Sequence, residues 1–66
     1  MCKLSLKELE VLNYLVIGLV NKQIAEKMCI TSSTVKAHVS SIMNKLNVTT
    51  RTGAAYVAIK NKIIKI

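Results

Sequence analysis

The stretch ITSSTVKAHVSSIMNKL, Ile30 to Leu46, reads as a single amphipathic helix. At about 3.6 residues per turn, Val35, Val39, Ile42 and Leu46 line up as an apolar seam. Ser33, Lys36, Ala37, Ser40, Ser41 and Asn44 make up the opposite face. The seam calls for a hydrophobic core. The other face is small, polar and flanked by lysines, and the segment contains no carboxylate.

The remainder of the chain narrows what that face can meet. With 66 residues, the chain reads as one domain over 1–66, able to bury only about 60% of its unfolded surface. That suffices for a compact helical unit and not for an enclosed catalytic cleft. Ten Lys and Arg stand against three Glu and no Asp, for a net charge of +7 and a pI near 9.8. Such a balance points to a polyanionic partner, either nucleic acid or an anionic membrane surface. The apolar run Tyr14 to Val20 is interrupted by Gly18 and falls far short of the roughly 20 residues that span a bilayer. Met1-Cys2-Lys3-Leu4-Ser5 has no signal-peptide character, so a cytoplasmic location is expected. Cys2 and Cys29 form no C-x-x-C pair and have one histidine between them for company; idle or buried thiols in a reducing compartment are expected, and no metal.

Four helical segments are predicted, with no proline, repeat or long linker to divide them. The first opens at Ser5 with the capping box S-L-K-E, turns Val11, Leu12, Leu15 and Leu19 inward, and stops at Gly18. The second begins at about Asn21, buries Ile24, Ala25 and Met28, and ends at Cys29-Ile30-Thr31. Thr31 caps the third, which runs to about Leu46 with Asn47 beyond it. A fourth starts at Thr49 or Thr50 and continues through Lys60, with Ala54, Val57 and Ala58 inward. The tail residues Ile63, Ile64 and Ile66 are expected to fold back over the core's edge. The fold class is all-α, a four-helix bundle whose second and third helices form a helix-turn-helix.

Nothing in the chain suits catalysis. Glu8, Glu10 and Glu26 lack a paired carboxylate or nucleophile, His38 has no Asp to orient it, and no Gly-rich loop cradles phosphate. Neither an enzyme nor a cofactor is expected. The third helix instead suits a DNA major groove. Small side chains at Ser33, Ala37, Ser40 and Ser41 let its backbone approach the bases, and Lys36 can reach guanine or a phosphate. A merely solvated face would have no reason to avoid Glu along its whole length; a face held against phosphates does. Lys22, Lys45 and Arg51 are candidate phosphate contacts, together with the amides at the starts of the second and third helices. His38, on the flank, divides between the core edge and a phosphate. Thr52, Tyr56 and Ile59 form an outward stripe on the fourth helix that can pair two subunits.

N-K-Q-I-A at 21–25 and I-T-S-S-T-V-K-A-H-V at 30–39 lie between L-S-L-K-E-L-E-V-L at 4–12 and K-L-N-V-T-T-R-T-G-A-A at 45–55. In that order and spacing they closely resemble the LuxR-type helix-turn-helix domain of quorum-sensing regulators, two-component response regulators and small stand-alone regulators similar to GerE. Region 4 of sigma factors shares the core, but K-A-H-V and the R-T-x-A-A fourth helix favour the LuxR type. The resemblance implies binding of a two-fold-symmetric operator in double-stranded DNA by a homodimer joined through the fourth helix. RNA polymerase is a further implied partner, and no small-molecule ligand is implied for this domain. By family analogy Lys36, Ala37 and Ser40 fall at base-contacting positions, and Lys22, Thr34 and Arg51 at backbone-contacting ones. Glu8 and Arg51 match family-typical residues and are expected to form an ion pair.

Five positions depart from the family pattern. Val20 stands where a Ser or Thr cap is usual, Cys29 where Gly is common, and Gly53 where Glu would complete a capping box with Thr50. The second and fourth helices are therefore expected to fray at their starts, by about 0.5–2 kcal/mol of lost capping each. Leu9 and Ile17 are apolar where charge is usual, which suits contact with a further domain. The alternative from another class is a basic helical module that docks an acidic partner or an anionic membrane.

Overall fold

The computed structural model describes residues 4–63 as four helices, α1 (Leu6–Val16), α2 (Asn21–Met28), α3 (Ser32–Lys45) and α4 (Arg51–Lys60). No strand occurs among the described residues. Cys2, Ile64 and Ile66 lie outside them.

Each helix starts with an extended cap residue. Ser5 forms the expected reciprocal box, accepting from the Glu8 amide at 3.1 Å while Glu8 Oε1 accepts from the Ser5 amide at 2.9 Å. Thr31 and Thr50 accept from the amides of Thr34 and Gly53 at 3.2 and 2.9 Å. Val20 has no side-chain acceptor, yet half of a box survives because the Gln23 side chain accepts from its amide at 3.0 Å. Both helices begin where they were expected to, α2 with the Gln23 side chain on the Val20 amide and α4 with the Thr50 hydroxyl on the Gly53 amide.

The ends share one device. After α1, the amides of Gly18 and Leu19 return to the carbonyls of Leu15 and Tyr14 at 3.1 Å each, and Gly18 has φ +98. After α3 the same closure runs from Asn47 and Val48 to Asn44 and Met43, and after α4 from Lys62 and Ile63 to Ile59 and Ala58. At α2, Ile30 returns to the carbonyl of Ala25. These are Schellman-type stops, and each needs a left-handed residue. Glycine fills that role once; Cys29, Asn47 and Lys62 fill it at φ 57, 58 and 56.

The core is Val11, Leu12 and Leu15 of α1, Ile24 and Ala25 of α2, Val35, Val39 and Ile42 of α3, and Ala54 and Ala58 of α4. Leu19, Met28, Leu46 and Ile63 pack half-buried around it, so the described part of the tail does fold back. Both α1 and α3 pack on all three other helices, whereas α2 and α4 stand apart except where the Arg51 side chain reaches Asn21. Alanines at 54 and 58 bring α4 close, and the seam of α3 is buried while its other face stays outside.

Candidate nucleic-acid interface

The turn between α2 and α3 is Cys29-Ile30-Thr31, within the three to four residues typical of a helix-turn-helix. Cys29 reverses the chain through its left-handed backbone, Ile30 packs against the core, and Thr31 starts α3. Burying Val35, Val39 and Ile42 fixes the rotation of α3, which leaves Ser33, Lys36, Ala37, Ser40 and Asn44 exposed together on its outer face. No acidic residue lies in the first turn of α2 or α3. Lys22, at the second position of α2, is exposed within that helix's first turn. Thr34 is exposed as well, its hydroxyl 2.9 Å from that of Thr31. His38 is half-buried on the flank.

Three expectations need correction. Ser41 was grouped with the outward face, but its hydroxyl donates to Glu8 Oε2 on α1 and the residue is half-buried. At about 100° per residue Ser41 lies about 80° from Ser33, on the flank toward Lys45, and a buried carboxylate opposite claims it. Lys45 was expected on phosphate; its ammonium instead pairs with Glu8 Oε1 at 2.7 Å. The third correction concerns the Glu8–Arg51 pair, because Glu8 belongs to Lys45. Arg51 donates to the Asn21 side chain and, at 3.0 Å, to the Leu19 carbonyl. Its guanidinium therefore ties the first turn of α4 to the α1–α2 connection at Leu19 and to the first residue of α2, so it has a scaffold role, but with neutral partners. Two of its five donors are used there.

Glu8 is 5% exposed and is the one charged residue in the buried set of the described residues. Its carboxyl is held at about 2, below the ordinary 4.5, by hydrogen bonds from Lys45, Ser41 and the Ser5 amide, in that order, against burial that acts the other way. Every donor favours the charged form, so the carboxylate is satisfied in place. The (i, i+4) spacing of Ser41 and Lys45 was the one local signal that they share a flank.

On α4, Thr52, Tyr56 and Ile59 are all exposed, and the Lys60 ammonium sits 5.7 Å from the Tyr56 ring centre. Thr52 also borders a shallow groove of about 300 Å³ lined by Leu15, Leu19, Val20 and Ala55.

The model of the bacterial regulatory proteins of the luxR family matches residues 2–58 of this chain. The transcriptional regulatory protein LnrK of Bacillus subtilis is 53% identical over 57 residues, which cover 86% of this chain and 26% of that protein. LiaR, a transcriptional regulatory protein of the same organism, is 43% identical over 61 residues, covering 92% and 29%. The crystal structure of the response regulator ChrA, from a heme-sensing two-component system, superposes with a TM-score of 0.90 at 42% identity, covering 94% of this chain and 31% of that one. This chain thus spans less than a third of the length of these relatives. The family is one of DNA-binding regulators and not of enzymes. With the match running across the helix-turn-helix and the four helices in register, the chain belongs to the luxR family of bacterial regulatory proteins and is a DNA-binding domain of its transcriptional regulators.

Proposed function

We propose that this domain reads double-stranded DNA as one half of a homodimer on a two-fold-symmetric operator, in the cytoplasm, by binding and without catalysis. In this reading α3 enters the major groove. Ser33, Lys36, Ala37, Ser40 and Asn44 face base edges, Lys36 as the long donor and Ala37 as a methyl for thymine. Lys22, Thr34 and His38 meet the backbone, aided by the amide ends of α2 and α3. Arg51 contributes to backbone contact only through the donors its scaffold role leaves over.

The observation that carries the reading is the outer face of α3, exposed, small in side chain, free of carboxylates and bearing Lys36. The described residues extend 28 Å along their longest axis, less than the roughly 34 Å between equivalent points on successive major grooves. Reading two half-sites therefore calls for two copies, and the exposed stripe Thr52, Tyr56 and Ile59 supplies an apolar face for pairing them. RNA polymerase is the further partner of a regulator that works in this way. No helix among the described residues is long and apolar enough to cross a membrane.

Fluorescence anisotropy against a random-sequence duplex and against a duplex selected from a random library tests the proposal. The expected outcome is salt-sensitive binding to both, with the selected duplex bound about 10³-fold tighter or more. Absence of binding at low salt would transfer the basic face to an acidic protein or an anionic membrane. Equal affinity for both duplexes would remove the sequence-reading role.

A further inference from the structure

Lys45 sits in the last turn of α3, on the helix proposed to read DNA, yet its ammonium is turned back onto α1. Glu8 is the reason. One of its oxygens takes Lys45 at 2.7 Å together with the Ser5 amide at 2.9 Å, and the other takes the Ser41 hydroxyl. The carboxylate thus grips α3 at two points one turn apart, Ser41 and Lys45, from a position fixed by its own helix cap. Both grips lie on the same flank of α3. They oppose any roll of the helix that would bring Ser41 outward, and they neutralise the cation nearest the C-terminal end of the reading face.

We propose that Glu8 is a positioning residue for DNA reading, which sets the roll of α3 and withholds Lys45 from the phosphates. This rests on α3 being the reading helix. A lysine free to reach phosphate strengthens binding to every sequence alike, because phosphate contacts carry no sequence information. Pairing the Lys45 ammonium with Glu8 lowers indiscriminate affinity while leaving Lys36 to discriminate. The device favours specificity over strength.

The test is the salt dependence of binding to a short random-sequence duplex, measured on the whole chain and on Lys45→Gln, Glu8→Gln and the double variant. Each phosphate contact contributes about 0.9 to the slope of log affinity against log salt. Lys45→Gln is expected to keep the wild-type slope. Glu8→Gln is expected to steepen it by about 0.9, an extra loss of about 3.5-fold in affinity between roughly 50 and 200 mM salt. The double variant should return to the wild-type slope. On the duplex selected by the wild-type chain, Glu8→Gln should show a smaller ratio of selected to random affinity. A slope flattened by about 0.9 in Lys45→Gln would show that Lys45 already contacts phosphate and would overturn the proposal. So would a folded Glu8→Gln, checked by circular dichroism, with an unchanged slope. If Glu8→Gln does not fold, Lys45→Gln decides alone, since its side chain is 38% exposed and outside the apolar core. Loss of wild-type binding to every duplex would instead defeat the DNA reading itself, and this inference with it.

Discussion

Replacing Glu8 with Gln preserves side-chain shape and an acceptor for the Ser5 amide but removes the charge that Lys45 and Ser41 bind. A carboxyl held at about 2 in the folded chain, against an ordinary 4.5, corresponds to about 3 kcal/mol at neutral pH. Lys45 is 38% exposed, so water screens part of this interaction and about 2 kcal/mol is the expected loss on substitution. For a domain of this size that lowers the melting temperature by about 10 °C, readable by far-ultraviolet circular dichroism at pH 7. Because the folded-state pKa is depressed, the stabilisation is fully present above about pH 4.5 and is lost as the pH falls toward 2. The gap between wild type and Glu8→Gln should therefore be widest near neutrality, narrow through pH 3 and close near pH 2. Equal melting temperatures at pH 7, or a gap that does not shrink with acid, would refute the linkage.

Lys36→Ala should cost about 1–3 kcal/mol on the selected duplex and relax preference at one base position, whereas Lys22→Ala should weaken selected and random duplexes alike and flatten the salt slope; anisotropy titrations separate the two. Cys29 holds φ 57 with a side chain, so Cys29→Gly should raise stability by up to about 1 kcal/mol in urea unfolding, and Cys29→Ala, which keeps a Cβ, should not. Tyr56→Ala should lower self-association in sedimentation equilibrium and reduce binding to a two-half-site duplex more than to a single half-site, leaving the melting temperature nearly unchanged because Tyr56 is 63% exposed.

Most of the helical frame was legible because it is written locally. The capping atoms of Ser5, Thr31 and Thr50 act three residues ahead, and the 3.6-residue period marked Val11, Leu12, Ile24, Val35, Val39, Ile42, Ala54 and Ala58 for burial before any packing was known. The long-range polar partners were not legible. Glu8 and Lys45 are 37 positions apart, and Arg51 and Asn21 are 30 apart, so which cation answers which acceptor depends on how α3 and α4 come to rest against α1 and the start of α2. Family likeness pointed to Glu8 and Arg51 as important and joined them wrongly. Ser41 was misread for a related reason: a flank position faces outward or inward according to what the neighbouring helix offers, and α1 offers a carboxylate. The outer face of α3 needed no such information, since burying the seam leaves it only one way to point.

The helix stops carry a consequence for how quickly the native state is reached. All four are made by left-handed residues closing backbone rings, and the chain has no proline. Prolyl isomerisation, which delays many domains by tens of seconds, is therefore absent from refolding. With mostly local helical contacts, the chain should refold in a single exponential within milliseconds, the three non-glycine stops costing native stability without adding a slow phase.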